Sequence, residues 1–461
     1  MLSLCDRLCI WERTSFLKGC HRKGINQVRL KKSSYIVNII QNTLNHMDGR
    51  LVDHGKRVSY LVYKVLKRQN KYTQEHMRDI CILALIHDIG AYKTEEVHNM
   101  VAFETGAVWE HSAYGYLFAK HFSPLKYISP VLLFHHAALK DLEYLHPSYH
   151  EIAQIIFIAD RIDVLALSGI ENWDAFVDSF DKLCGTLFSA HLVDLFFRGE
   201  GCITQDDLKF DYSPEFIDIL YNSDFSAEGV DAYLNMVVLS IEFRSPQTMN
   251  HTFALIKTCE ILGRKAGLDE GEIESLQTGA LLHDVGKVGV PLHILESSDR
   301  LSDEEFEIMK SHISITKNIL GSYLDESVLS IAANHHEKLD GSGYVSGLKG
   351  DEIQLCERIV SVADIFCALS TKRSYKEPLP KEKVLSIMSE MKDAGYIDPA
   401  LTKLTEECYE ELETSIAEIT EKLAETYVAL WEEYDLLLSM VDTFKQGLGS
   451  NEMYIKEPLA M

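Results

Sequence analysis

Positive charge is scarce in this 461-residue chain: 45 Lys and Arg face 70 Asp and Glu, a formal net charge of −25. That balance excludes a nucleic-acid polymer as the main partner, because such binding rests on basic contacts to phosphates. An anionic substrate would have to meet local positive charge, from metal ions or a few Lys and Arg. Long apolar runs are missing too. None approaches the roughly 18 residues that cross a bilayer. Asp6, Arg7, Glu12 and Arg13 interrupt what would have to be the apolar core of a secretion signal. The expectation is a cytoplasmic protein with no membrane partner. The ten cysteines include no CxxC pair, so they read as reduced, mostly buried thiols. Cys5, Cys9, Cys20 and His21 match no standard zinc spacing. Sustained strand alternation is also absent.

What is present is helical. Apolar residues recur at helix spacing almost throughout, as at Ile80, Leu83, Ala84 and Ile86, and again at Leu276, Ala280 and Leu281. The expected fold class is therefore all-α, with 46% hydrophobic residues for its cores and room for roughly three domains. The boundaries expected are an N-terminal helical segment over 1–35, a domain over 36–200, a connector over 201–235 rich in turn formers, a second domain over 236–390 and a C-terminal helix and tail over 391–461. From Ala400 to about Phe444 the chain is acidic and free of glycine. Leu430, Tyr434, Leu437 and Val441 fall at alternating four- and three-residue steps there. Such a seam serves either a homodimer through paired C-terminal helices or packing back on the chain's own domain.

The second half carries an ordered constellation: His251, then His283-Asp284, His312, His335-His336 and Asp364. The first half repeats it as His54, His87-Asp88, His111, His135-His136 and Asp160. From the first His to the HD pair is 33 residues in one half and 32 in the other, and from the third His to the HH pair 24 and 23. Ten of the 19 histidines are used this way. A single histidine on an apolar helix face is ordinary core, but seven positions recurring in the same order are hard to explain as core filling. The chain reads as a duplicated domain. Imidazole mixed with carboxylate suits Fe, Mn or Zn, whereas Mg and Ca favour oxygen donors alone. Ligands on separate helices would hold the ions inside a bundle. A carboxylate such as Asp284 can bridge two ions roughly 3.5 to 4 Å apart, and a pair of that kind lowers the pKa of water and neutralises phosphate oxygens.

The second half resembles the HD-GYP branch of the HD phosphohydrolase superfamily. The motifs that carry the resemblance are HDVGK at His283 to Lys287 with Pro291, HHE at His335 to Glu337, Asp340-Gly341, Gly343-Tyr344, GLKG at Gly347 to Gly350, RIVSVAD at Arg358 to Asp364, and Arg373 with Tyr375. The match runs from about Ile241 to Pro380. It implies tandem HD-superfamily helical domains with a C-terminal helical extension. It further implies two divalent metal ions, Fe or Mn, in the second domain, with His251, His283, Asp284 and Asp364 on one and His312, His335 and His336 on the other, Asp284 being shared. Asp284 and Lys287 would be the catalytic residues, Lys287 meeting the scissile phosphate and helping to neutralise the leaving oxygen. Gly343 and Tyr344 would contact substrate. Arg358, Arg373 and Tyr375 would position substrate or make structural contacts.

Departures from the pattern matter. Val345 stands where the signature has proline, which frees a φ angle and adds a backbone donor. Gln247 stands where some members place a carboxylate for a third ion, which favours a binuclear site. The first half resembles the broader superfamily. It keeps all seven ligand positions, so it is a second candidate metal site, but it has Ala91 for Lys287, Ala137 for Glu337, Gln154 for Arg358 and no glycine-rich loop. That unequal retention leaves three roles open: a regulatory metal or nucleotide module, hydrolysis of another phosphate ester, or pure scaffold. The activity implied for the whole is a phosphodiesterase of second-messenger signalling acting on cyclic di-GMP. The alternatives are another cyclic dinucleotide such as cyclic GMP-AMP, or a non-catalytic signalling adaptor.

Overall fold

The computed structural model describes residues 35–46, 52–92, 108–242, 246–297, 299–321, 323–371 and 378–445. Among them the fold is all-α, with no strand and one isolated bridge between Cys184 and Phe188. No helix among the described residues is long and apolar enough to cross a membrane. The described residues divide into two compact units, 35–236 with 431–445, and 237–430.

The first unit is built on α1 (Tyr35–Asn45), α2 (His54–Gln69), α3 (Gln74–Leu85), α4 (Val108–Phe122) and α5 (Pro147–Leu167). Thr73 starts α3 by accepting the His76 N–H, and Pro147 opens α5, where a missing N–H costs nothing. Ile152, Ile155, Ile156, Ile158 and Ile162 are all buried, so α5 is apolar around its circumference and runs through the core. The stretch 201–235, expected as a connector, is instead part of this unit. Phe216 and Leu220 are fully buried, and Phe216 packs edge-on against Tyr60 at 5.2 Å and beside Tyr63 at 5.5 Å. Turn formers there punctuate short helices whose aromatic anchors find partners far away in sequence. Its last helix, α6 (Ala227–Glu242), carries the boundary between Met236 and Val237.

The second unit follows with α7 (Pro246–Lys265), α8 (Glu270–Leu282), α9 (Asp303–Leu320), α10 (Glu326–Ala333), α11 (Leu355–Ser370), α12 (Lys381–Asp393) and α13 (Pro399–Glu407). Asp269 with Glu272, and Ser302 with Glu305, form reciprocal capping boxes that start α8 and α9. Helix α11 lies in the core with Ile359, Val360, Val362, Ala363 and Phe366 buried, and α7 packs on both α8 and α11.

The C-terminal helix differs from expectation in two ways. It is broken: α13 ends at Glu407 and α14 (Tyr409–Lys445) begins after Cys408. Thr405 Oγ1 and Cys408 Sγ both donate to carbonyls four residues back, at 2.8 and 3.0 Å, a local competition with the helix ladder. Its seam is also spent inside the chain. Leu430, Tyr434, Leu437 and Val441 are buried, Tyr434 stacks on Tyr114 at 4.2 Å, and Glu433 bonds Lys120 at 2.6 Å and His121 at 2.9 Å. Of the two uses expected for the seam, the described residues show packing back on the chain's own domain.

Candidate metal centres

In the second unit, helix ends deliver the ligands. His283 caps α8 and Asp284 opens the tight turn Val285–Gly289. That turn presses against α9, which carries His312: an added Cβ on Gly286 would lie 2.0 Å from the His312 carbonyl oxygen. Thr316, one turn further along α9, clasps the junction by accepting the Gly286 N–H at 3.0 Å and donating to the His283 carbonyl at 3.2 Å. His251 sits on α7, His335-His336 follow α10, and Asp364 is on α11.

All seven expected ligands converge. His251 Nε2 lies 2.9 Å from Asp364 Oδ1, His283 Nε2 3.0 Å from Asp284 Oδ2, and His312 Nε2 3.6 Å from Asp284 Oδ1. The two Asp284 oxygens thus face different imidazoles, the arrangement a bridging carboxylate needs. His335 is 4.8 Å ring to ring from His283 and 4.1 Å from His336. The Nδ1 atoms of His283, His312 and His335 each contact the carbonyl three residues upstream, at 2.7, 2.6 and 2.8 Å. This fixes the rings and turns Nε2 inward, as outer partners of metal-binding histidines do. The Nε2 atoms of His312 and His335 are buried and bond to nothing in the protein. A metal ion would satisfy them, and the donor set fits.

The electrostatics agree. Burial pushes His335 well below its usual value and His336 down to about 4, so both rings are neutral and free to donate a lone pair. Burial alone would raise the Asp284 carboxyl, but His283 and Lys287 hold it well below the usual range. Asp364 is likewise held low against burial, by His251. Lys287 donates from Nζ to Asp284, which places one cation at the centre.

The remaining expected residues sort out by position. Tyr344 lies beside the centre, its ring 4.8 Å from that of His336. Gly343 runs close over the HHE turn, since a Cβ there would meet Lys338 N at 2.5 Å and Glu337 Cα at 2.6 Å. Arg358 bonds the carbonyls of Ile353 and Gly350 at 2.7 and 2.9 Å and Asp398 at 3.2 Å. Arg373 and Tyr375 lie outside the described residues, and the side chain of Gln247 does too. Two acidic residues carry roles the sequence reading missed. Buried Glu337 accepts N–H groups from Ser346, Gly347 and Leu348 at 2.7, 3.2 and 3.0 Å and so anchors the Gly343–Gly347 loop. Its place in the HHE string was the available signal. Buried Glu242 accepts from Thr252, next to ligand His251, and burial pushes its carboxyl up to about 8; no motif marked it.

The first unit brings its seven residues together as well. Asp88 faces His54 and His87 with one oxygen, at 3.5 and 3.3 Å, and His111 and His135 with the other, at 3.7 Å each. His136 Nδ1 is 3.6 Å from Asp160 Oδ2. The glycine contact recurs, with a Cβ on Gly90 falling 1.9 Å from the His111 carbonyl oxygen. Two features are peculiar to this half. His54 Nδ1 is held by Asp163 at 2.7 Å, which Arg57 grips in turn at 2.6 and 2.9 Å. Arg161 binds the ligand carboxylate of Asp160 at 2.9 and 2.7 Å. The half that has Ala91 in place of Lys287 therefore carries its cation on a different ligand.

Residues 235–401 match the family described as HD domain. Over 405 residues, 82% of this chain and 92% of the relative, the sequence is 26% identical to 3'3'-cGAMP-specific phosphodiesterase 1 of Vibrio cholerae. It is 38% identical over 165 residues to 3'3'-cGAMP-specific phosphodiesterase 3 of the same organism, covering 35% of this chain and 36% of the relative. It is 39% identical over 153 residues to a cyclic di-GMP phosphodiesterase of Thermotoga maritima, covering 32% of this chain and 42% of the relative. The first of these alignments is too long to lie within residues 235–401 and extends through much of the first half.

Proposed function

We propose that the second unit is a metal-dependent phosphodiesterase that opens a cyclic dinucleotide. The observation that carries this reading is the convergence of all seven ligands around the two-faced Asp284 with Lys287 on it. His251, His283, Asp284 and Asp364 would hold one ion and His312, His335 and His336 the other, with Fe or Mn expected. The ions would supply Lewis acidity toward the phosphate oxygens and an activated water. The chain's own contribution is positional. Imidazoles pinned through Nδ1 hold the donor geometry, Asp284 stays ionised across the physiological range, and Lys287 brings a proton-bearing cation to the oxygens where charge develops.

Motifs alone put cyclic di-GMP first. The name of the relative aligned across both halves supports 3'3'-cGAMP instead, and we place it first and cyclic di-GMP second. The test is product analysis on both dinucleotides with protein purified in Mn or Fe(II). Linear dinucleotide from 3'3'-cGAMP at a higher kcat/KM than from cyclic di-GMP is expected. Turnover that persists in Asp284→Ala would refute the assignment, and metal-loaded protein that only binds the dinucleotides would favour the adaptor reading.

For the first unit we propose a second metal centre with a regulatory role. Its support is the clustering of seven buried ligands without the loop and lysine of the other half. Full metal occupancy of one half only, by elemental analysis of variants lacking Asp88 or Asp284, would count against it.

A further inference from the structure

We propose that Phe306, Tyr344 and Lys310 form a nucleobase platform beside the second unit's metal centre, taking one purine of a cyclic dinucleotide whose phosphodiester lies at the ions. The proposal deepens the phosphodiesterase reading and rests on it for the identity of the ligand. The platform begins at a metal ligand. The Tyr344 ring lies 4.8 Å from His336, tilted by 33°, and Phe306 meets Tyr344 edge-on at 6.2 Å and 81°. Phe306 is nevertheless 45% exposed, on a helix whose first turn is Asp303, Glu304 and Glu305. An aromatic ring left in water among acids, two ring contacts from the centre, is poorly explained by core packing.

Lys310 follows Phe306 by four residues on α9, the spacing that puts both on one face. Its Nζ is 5.3 Å from the Phe306 ring centre and 5.9 Å from that of Tyr344. Bases of any kind stack on aromatic faces, and Lys310, whose Nζ also bonds Glu307, sets a cation beside the two rings. The support beneath is stiff. Glu337 holds three successive N–H groups of the loop, and the Tyr344 N–H donates to the His336 carbonyl at 3.3 Å. Little ordering would therefore be needed when a base arrives. Half-exposed Val345 adjoins the same surface, so the residue that replaces the signature proline would border the base.

The test uses full-length protein and two probes, 3'3'-cGAMP and cyclic di-GMP. Equilibrium binding is measured on metal-stripped protein by calorimetry, and steady-state hydrolysis on metal-loaded protein. Stacking of one base predicts that Phe306→Ala weakens Kd and raises KM by about 5- to 100-fold, with the KM change exceeding the kcat change. Phe306→Trp should restore both, and Lys310→Ala should weaken binding less than Phe306→Ala. Val428→Ala, at an exposed position of α14, serves as the control. Hydrolysis with Kd and KM indifferent to Phe306 would remove the platform and leave the phosphodiesterase standing. Binding that depends on Phe306 without any hydrolysis would do the reverse. Wild-type protein that neither binds nor hydrolyses either probe would overturn both.

Discussion

Replacing Gly286 with alanine tests whether the close approach of turn and helix builds the metal centre. The new Cβ would lie 2.0 Å from the His312 carbonyl oxygen, 2.6 Å from Thr316 N and 2.7 Å from Thr316 Oγ1. A relaxed carbon–oxygen contact is about 3.3 Å, so turn and α9 must part by roughly 1.3 Å. Metal–ligand distances tolerate only about 0.2 Å, so His312 would leave its ion while Asp284 stayed behind. Overpacking of this kind costs about 1–3 kcal/mol, or roughly 2 to 12 °C in melting temperature for a unit of this size. Gel-filtered Gly286→Ala, assayed by elemental analysis, thermal melting and hydrolysis, should therefore be folded, somewhat less stable and depleted of metal. Gly267→Ala is the comparison, because that glycine has φ +86 with no atom within 4 Å of the added Cβ. It should cost about 1 kcal/mol of backbone strain and leave metal content alone. Wild-type metal content and turnover in Gly286→Ala would refute the reasoning.

Lys287→Ala should retain metal and lose about 10²- to 10³-fold in kcat, the usual loss when one donor to developing charge is removed; metal loss in that variant would contradict its placement. Glu242 gives a pH prediction. Its folded carboxyl at about 8 stands above the ordinary 4.5, so its stabilising contribution is complete below about 4.5 and is lost as pH rises through about 8. Relative to wild type, metal-free Glu242→Gln should gain on the order of 3 kcal/mol between pH 5 and pH 8, and parallel denaturation curves at the two pH values would disprove it. The paired change His87→Ala with Asp88→Ala should leave dinucleotide hydrolysis present but alter its rate or its response to an effector. Unchanged kinetics would count against regulation, and complete loss in a folded protein would move the main chemistry to the first unit.

Much of this architecture was legible before any coordinates because ligand chemistry is discrete. An HD pair, an HH pair and flanking single residues recur in one order, and the structure gathers both sets. Helices were legible from apolar spacing at positions such as Ile80 to Ile86, all buried in α3 and its cap. The rest depended on partners distant in sequence. Phe216 looks like a loop residue until Tyr60 and Tyr63 are placed beside it, and the Leu430 to Val441 seam looks the same whether it meets a second copy or Tyr114. Arg161 was invisible as a site residue because it follows a ligand in place of aligning with Lys287, which only the bond to Asp160 reveals. Phe306 could have been suspected from an aromatic residue on the acidic face of a helix, six positions before His312.

The bonds from Glu433 to Lys120 and His121 have a consequence for biosynthesis. They join residues 313 and 312 positions apart, and the described residues of the second unit, 237–430, all lie between them. On the ribosome, the first unit emerges early yet waits for its closing segment while residues 237–430 are made. At elongation rates of about 5–20 residues per second that wait is on the order of tens of seconds, during which Tyr114 lacks the Tyr434 ring stacked on it. A message truncated just upstream of Trp431 would release a chain whose second unit is complete and whose first is permanently unsealed, a product for chaperones or proteases more than a smaller enzyme.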